Sequence, residues 1–271
     1  MVLLWILLAT IIGGALSAAL ASVFLLLPAQ RRTALLPHLI SFATGAMLSA
    51  ALLGLLPEAV ERVGHEHVQA VGVAVLAGIA LFFVLEKLVL WRHCHTETCE
   101  GHTPAPHGHA HGHGVPDENS RDRAAGWIVL FGDGVHNAFD GVLIAAAFLS
   151  DVRLGIVTAL AITAHEIPQE LGDLAVLLHA GMSPMRALWF NLASSLTSIL
   201  GGVIGYFALR SALGVLPYAI CVAAASLLYV AVADLIPGLH RRVDPRASLA
   251  QVVLITLGVL VVWAAETWLG G

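Results

Sequence analysis

Charged residues are scarce in this chain. Asp, Glu, Lys and Arg together make up 11% of its 271 residues, whereas about 25% is usual in soluble domains. Hydrophobic residues make up 58%, and the mean hydropathy is +0.87. This composition excludes an ordinary soluble domain and predicts an integral membrane protein. The formal net charge of -5 says little, because the placement of charges relative to a bilayer matters more than their sum.

Cysteine is also rare. Cys94, Cys99 and Cys221 are too few for a disulfide framework, and Cys221 lies in an apolar run where we expect a small buried hydrophobe. Basic residues are missing from residues 1–27. A secretory signal peptide needs a basic n-region and a shorter apolar core, so we interpret this stretch as a first membrane span that is retained.

Long apolar stretches recur along the whole chain. A bilayer core about 30 Å thick requires roughly 20 apolar residues per helix. The sequence therefore predicts an all-α integral membrane protein, a single domain over residues 1–271 with eight transmembrane helices. The predicted spans are 2–27, 38–57, 70–91, 126–150, 154–180, 184–209, 215–238 and 247–269. The residues interpreted as span breakers are Pro28, Pro37, Pro57, Asp151, Pro184, Pro217, Pro237 and Pro245.

The distribution of arginine predicts the orientation of these spans. The loops after the first, third, fifth and seventh spans hold Arg31, Arg32, Arg92, Arg121, Arg123, Arg186, Arg241, Arg242 and Arg246, with Lys87 close by. The opposite side holds Arg62, Arg153 and Arg210. The positive-inside rule places the arginine-rich side in the cytoplasm, and both termini of an eight-span protein then face outward.

One long loop, predicted over residues 92–125, is rich in metal-binding side chains. These are His93, Cys94, His95, Cys99, His102, His107, His109, His111 and His113. Such a tract is typical of metal binding, and its Gly and Pro content predicts disorder. On the cytoplasmic side the loop would act as a metal buffer or sensor, and the alternative is a solvated linker.

Polar side chains interrupt the fourth and fifth spans. Ionisable groups at bilayer depth are costly and usually mark an ion or substrate path. His136 and Asp140 are one helical turn apart, as are His165 and Gln169, so each pair shares a helix face. With their neighbours, the candidate metal ligands are His136, Asn137, Asp140, His165, Glu166 and Gln169. Imidazoles, carboxylates and amides suit a divalent transition metal, which predicts a metal site between helices 4 and 5.

Three further residues surround these candidate ligands. Pro168 removes the helical hydrogen bond to the carbonyl of Ala164 and kinks the helix, and a carbonyl freed in this way is tolerated only in a cavity or inside protein. Glu170 and Asp173 lie on other faces of the fifth span. We expect them to bind a second ion, to cap the entrance, or to pair with Arg186.

The two motifs together resemble those of the ZIP family of divalent-metal importers, in a bacterial-type branch with a His-Glu-Ile-Pro core in the fifth span. The matching segments here are His136-Asn137 with Asp140-Gly141, His165-Glu166-Ile167-Pro168-Gln169-Glu170-Leu171-Gly172-Asp173, Leu56-Pro57-Glu58, Asn191-Leu192, Gly201-Gly202 and Ala233-Asp234-Leu235-Ile236-Pro237. The resemblance extends over essentially the whole chain, including the layout of spans and the His-rich third loop.

The resemblance implies a membrane transporter and no enzyme. It implies that Zn²⁺, or alternatively Fe²⁺, Mn²⁺ or Cd²⁺, is the transported substrate and that no cofactor is needed. The ion would move toward the cytoplasm by alternating access, through a site made of the six candidate ligands. The expected partners are the metal ion, the lipid bilayer and a second copy of the chain in a homodimer, with no nucleic acid. We expect a multi-pass protein of the cell (inner) membrane.

This chain departs from the family pattern at several positions. Gln169 stands where the family often has His or Glu, and Ala50 and Gly54 replace a common Asp and His in the second span. Ser198 is the best match to a Glu that binds a second ion in some members. These departures favour one main metal site over a two-metal centre.

Two other classes of function remain alternatives. An intramembrane metallopeptidase requires His-Glu-x-x-His, but Gln169 occupies the position of the second His. A zinc-dependent lipid hydrolase would also use His and Asp ligands, yet no separate nucleophile is recognisable. An exporter would share the chemistry and differ only in direction.

Overall fold

The computed structural model describes residues 1–93, 118–179, 181–240 and 244–270, and all regular structure in these ranges is helical. The α-helices are α1 (Val2–Leu25), α2 (Ala29–Ser49), α3 (Leu56–Val63), α4 (Val68–His93), α5 (Glu118–Ser150), α6 (Val152–His179), α7 (Pro184–Ser195), α8 (Thr197–Arg210), α9 (Leu216–Tyr229), α10 (Ile236–His240) and α11 (Pro245–Gly270). Short π-helical segments, Ala50–Leu55 and Val230–Leu235, join α2 to α3 and α9 to α10. The predicted all-α fold is confirmed.

Helix extends into both ends of the segment that was predicted as a long loop, residues 92–125. Helix α4 runs to His93, and α5 begins at Glu118 rather than near residue 126. Most of the His-rich tract, residues 94–117 with Cys94 and Cys99, lies outside the described residues. Cys221 is buried and free, as predicted.

Three prolines do not end helices, and the prediction that they bound spans was wrong. Helix α2 continues through Pro37, while Pro57 and Pro237 each follow a π-helical segment and the chain stays helical beyond them. A proline ring clashes with the carbonyl four residues back. The wider π turn relieves that clash, and such local adjustments let membrane helices tolerate proline.

Six helical segments in the described part of the chain are long and apolar enough to cross a membrane, rather than the eight predicted. They are Val2–Val23, Ala34–Val63, Val68–Leu85, Pro184–Arg210, Leu213–His240 and Pro245–Ala265. Helices α5 and α6 do not qualify, because the polar candidate ligands lower their hydropathy. These two helices pack against α1, α2, α8 and each other, so they need less apolar surface than helices that face lipid.

Glycine permits close packing between neighbouring helices. A side chain at Gly141 of α5 would collide with the carbonyl of Ser198 on α8, and one at Gly258 of α11 would collide with the carbonyl of Phe42 on α2. Small residues at helix contacts are the usual means of close approach in membranes. The backbones of α5 and α8 therefore lie side by side, and this contact holds α5 in place.

The outer helices expose large apolar side chains. Leu76 on α4, Phe207 on α8 and Leu249 on α11 are each more than half exposed. Soluble monomers rarely expose contiguous apolar surface on this scale. Such an exterior is suited to lipid and agrees with a multi-pass membrane protein.

Candidate metal centre

Four of the six candidate ligands meet between α5 and α6, the helices that contain the predicted fourth and fifth spans. The Nε2 atoms of His136 and His165 lie 3.3 Å apart. Asp140 Oδ2 lies 3.7 Å from the first of these atoms and 3.4 Å from the second. Glu166 Oε1 lies 3.6 Å and 3.5 Å from them. Each helix thus contributes one imidazole and one carboxylate to the same point, and the four residues are hereafter called the quartet.

The spacing of the quartet matches the requirements of a small metal ion. Tetrahedral zinc with bonds of about 2.0–2.2 Å places neighbouring ligand atoms about 3.3–3.6 Å apart. The five distances above span 3.3–3.7 Å. All four ligand atoms lie within 4.8 Å of one another, so one ion can contact every member.

Several quartet atoms lack any hydrogen-bond partner. Asp140 Oδ2, both carboxylate oxygens of Glu166 and Nδ1 of His165 are buried without one. These three residues are at most 3% exposed. Buried carboxylates without hydrogen bonds are strongly disfavoured. A divalent cation would offset this cost, which makes the orphaned oxygens evidence for a ligand of positive charge.

The remaining two candidate ligands, Asn137 and Gln169, direct their amide nitrogens to Asp133. Asn137 Nδ2 donates to Asp133 Oδ1 at 2.9 Å, and Gln169 Nε2 donates to the same oxygen at 3.3 Å. Both amides therefore border the quartet and contact a carboxylate that the sequence analysis did not single out. Asp133 precedes His136 by one helical turn, and its polarity inside a predicted span was the available signal.

Glu170 and Asp173 have separate environments. Glu170 is fully buried and accepts hydrogen bonds from Asn191 Nδ2 and Ser195 Oγ, which ties α6 to α7. Asp173 is partly buried and lies beside Asp133. The expected pairing of these carboxylates with Arg186 is not found among the described residues, because Arg186 points outward.

A cavity of about 520 Å³ leads away from the quartet. Its polar lining is made of His136 and His165 together with Asp133, Gln169 and Asp173. From the quartet, the lining continues along α5 to Val129 and along α6 to Asp173, which is toward Glu118 and His179. On α4 it includes Leu85, in the half of that helix nearest His93. The cavity therefore extends toward the end of the protein that carries most of the arginines.

The opposite end of the helix bundle is closed. Beyond the quartet, small and apolar side chains fill the interior, including Ala50, Leu55, Ala147, Val157 and Ala161, all fully buried. Only about 10 Å³ of space borders Asp140 and Glu166 on the side of α1 and α8, which is about the minimum for a water molecule. In the described part of the chain, the space that borders the quartet is therefore far larger on the arginine-rich side than on the side of α1 and α8.

Polar contacts lie across the closed end. Glu58 Oε1 on α3 accepts hydrogen bonds from Ser150 Oγ at 2.6 Å and from Arg62 Nε at 2.5 Å. Arg62 Nη2 also donates to the carbonyl of Ser150 at 2.6 Å. We call these three residues the outer latch, since they join α3 to the end of α5. A shallow pocket of about 220 Å³ beside them includes Glu58, Glu61 and Asp151.

The positions that depart from the family pattern are occupied by small side chains. Ala50 and Gly54 are buried in the first π-helical segment. Ser198 donates to the carbonyl of Ser195 at 2.8 Å and lies 3.4 Å from that of Thr10. None of the three offers a charged ligand, and one main site stays a prediction.

Comparison with known proteins gives consistent matches. A family model described as "ZIP Zinc transporter" matches residues 2–123 and 90–265. Zinc transporter ZIP4 of Mus musculus is 33% identical over 276 residues, covering 83% of this chain and 41% of that protein. Zinc transporter ZIP13 of Homo sapiens is 31% identical over 298 residues, covering 92% of this chain and 78% of that protein. The chain spans less than half the length of the ZIP4 relatives it matches.

Proposed function

Because this chain belongs to the ZIP zinc transporter family, we propose that it is a divalent-metal importer, not an enzyme, and that it carries Zn²⁺ toward the cytoplasm. The relatives named above are zinc transporters, which supports zinc as the first substrate. The observation that carries the proposal is the quartet, with tetrahedral spacing and orphaned carboxylate oxygens at the closed end of a cavity.

The proposed site combines nitrogen and oxygen ligands. His136 and His165 bind the ion as neutral imidazoles, and Asp140 and Glu166 neutralise its charge. Asn137 and the partly exposed Gln169 complete the site by turning their amide oxygens to the ion. Nitrogen and oxygen ligands without sulfur suit Zn²⁺, Fe²⁺, Mn²⁺ or Cd²⁺ and disfavour Cu⁺. The substrate ion is the only metal that this mechanism requires.

The direction of transport is supported by the cavity and the arginines. The cavity extends from the quartet toward the arginine-rich end, which the positive-inside rule places in the cytoplasm. The outer end is closed by packed side chains and the outer latch. We interpret this arrangement as the inward-open state of an alternating-access cycle, with α5 and α6 moving relative to the surrounding helices to open the other side.

We further propose that α5 and α6 complete an eight-helix membrane domain with both termini outside the cell membrane, an inner membrane if the source is bacterial. This topology follows from the alternation of basic loops. It is tested by attaching a membrane-impermeant label to a cysteine introduced at each terminus. A homodimer is proposed on family resemblance, and cross-linking in native membranes tests it.

Radiolabelled Zn²⁺ uptake into proteoliposomes tests the proposed function. The wild type should take up Zn²⁺, with Fe²⁺, Mn²⁺ and Cd²⁺ as competitors that rank the metals. His165→Ala should reduce uptake to near background, because the loss of one imidazole breaks the quartet. His38→Ala is the matched control, since His38 is exposed on α2 and its Nδ1 bonds the Ala34 carbonyl of the same helix.

Two results would contradict the proposal. A folded wild type that moves no metal in either direction would favour a metal-dependent receptor or a zinc-dependent hydrolase. Equal uptake by wild type and His165→Ala would leave transport standing but remove the quartet as its site. Counterflow in vesicles of defined orientation separates an importer from an exporter.

A further inference from the structure

Asp133 and Asp173 face each other on the wall of the cavity. Asp133 is 5% exposed, and its carboxyl group lies within hydrogen-bond reach of that of Asp173. The two amides of Asn137 and Gln169 both donate to Asp133 Oδ1, while Asp133 Oδ2 is buried without a hydrogen-bond partner. A buried carboxylate with an unpaired oxygen beside a second carboxylate is electrostatically unfavourable unless a shared proton or a cation joins them.

The Asp133–Asp173 pair lies on the side of the quartet that faces the cavity opening. Along α6, His165, Gln169 and Asp173 follow one another at intervals of one helical turn, which places them in one row. Along α5, which runs antiparallel, Asp133 precedes His136 by a similar interval. Both rows advance from the quartet toward the cavity opening, and all five residues line the same cavity.

We propose that Asp133 and Asp173 form a second cation site that is made only of oxygen ligands and lies on the exit side of the quartet. The proposal rests on the proposed transport function. An ion leaving the imidazoles would pass about one helical turn along α5 to these carboxylate oxygens while it regains water from the cavity.

The chemistry of the two sites differs in a way that favours release. Imidazole nitrogen binds Zn²⁺ well, whereas carboxylate, carbonyl and water ligands suit Mg²⁺, Ca²⁺ and Mn²⁺. A site of oxygens in an open cavity holds a partly hydrated ion weakly. Such a site has as many carboxylates as the quartet but no imidazole, so it can receive the cation during exit without retaining it.

The test uses Mn²⁺ as the probe, because it favours oxygen ligands and its free form is counted by electron paramagnetic resonance. The purified full-length wild type is titrated with Mn²⁺ beside Asp133→Asn/Asp173→Asn and His136→Ala/His165→Ala. The His-rich loop is present in all three proteins and contributes equally. We expect Asp133→Asn/Asp173→Asn (the Asp variant) to lose one weakly bound Mn²⁺, or to bind it roughly 10- to 100-fold more weakly. We expect His136→Ala/His165→Ala (the His variant) to retain it.

A second readout links this site to transport. The Asp variant should still bind Zn²⁺ at the quartet but transport it more slowly, whereas the His variant should lose both. Asp133→Glu/Asp173→Glu should restore Mn²⁺ binding and serves as the control for correct folding. Unchanged Mn²⁺ binding in a folded Asp variant would overturn the exit site. Retained Mn²⁺ binding in a wild type that transports no Zn²⁺ would instead overturn the proposed function alone.

Discussion

His136 and His165 bring their Nε2 atoms to 3.3 Å, although they lie 29 residues apart on different helices. The contact depends on the antiparallel pairing of α5 and α6, which turn sharply at Asp151. It brings Asp140 and Glu166 to the same point and so creates the quartet. An N–H on one ring can bond the other only while no metal is present, because a bound ion occupies both nitrogen lone pairs.

Replacing Gln169 by His should strengthen metal binding. Gln169 is a neutral amide that extends toward Asp133, and an imidazole is a better ligand for Zn²⁺. We expect Gln169→His to lower the KM for Zn²⁺ uptake and also to slow the maximal rate, since tighter binding delays release. Uptake kinetics over a range of free Zn²⁺ check this, with Gln251→His on α11 as a control histidine. A raised KM in a folded Gln169→His protein would be incompatible with a ligand role.

Acidic solution should weaken Zn²⁺ uptake. The quartet needs neutral imidazoles, so protons compete with the metal, and occupancy falls as pH falls. Initial uptake rates at constant free Zn²⁺ should decrease between about pH 7.5 and about pH 5.5, with the same pH on both sides of the membrane. Saturating Zn²⁺ should restore much of the rate, because the competition is for one site. A rate that rises steadily with acidity would argue against this competition as the dominant effect.

Breaking the outer latch should make the outer side open more readily. Arg62→Ala removes two contacts, one to Glu58 and one to the carbonyl of Ser150. Both partners are partly exposed, so the expected contribution is about 0.2–1 kcal/mol. We expect a cysteine introduced at the buried Gly54 to react up to about fivefold faster with an external thiol reagent.

The control for the outer latch is Arg210→Ala on α8. Arg210 is exposed and bonds the Tyr206 hydroxyl within the same helix at 2.9 Å. The Arg210→Ala substitution should leave labelling of the cysteine at position 54 unchanged. Equal labelling in Arg62→Ala and wild type would show that packed side chains alone close this end.

Removing the buried carboxylate of Glu170 should destabilise the protein. Glu170→Ala leaves the Asn191 amide of α7 without its acceptor, while the Ser195 hydroxyl keeps the Asn191 carbonyl. An unpaired buried polar group costs about 1–3 kcal/mol. A lowered Tm in detergent is expected, while Glu61→Ala on the exposed side of α3 should have little effect. Retention of the wild-type Tm by Glu170→Ala would mean that α7 repacks without this contact.

Deleting residues 101–116 should leave Zn²⁺ transport measurable. This part of the His-rich loop lies outside the described residues, and no residue of the quartet belongs to it. We expect the deletion to change regulation or zinc buffering on the cytoplasmic side, observed as altered dependence of uptake on internal Zn²⁺. Complete loss of uptake in a well-folded deletion would assign the loop a direct role in transport.

The candidate site was predictable from sequence to a limited extent. Helical periodicity predicts that His136 and Asp140 share a face, and the structure brings both to the quartet. Helical periodicity cannot predict that Asn137 and Gln169 direct their amide nitrogens to Asp133, because those contacts depend on how α5 and α6 are rotated against each other. The six-ligand set remains a prediction that uptake measurements on variants must test.

Composition determined the class of protein, because a chain so poor in charge and rich in apolar residues cannot form an ordinary soluble core. Spacing along each helix determined which polar residues share a face, since the helical repeat is fixed by backbone geometry. Only the tertiary structure decided that Pro57 and Pro237 continue their helices through π turns, and that α5 and α6 are enclosed by other helices. It also decided that the cavity opens at one end. The enclosure of α5 and α6 and the position of the cavity arise from packing between segments distant in sequence, for which local patterns carry no signal.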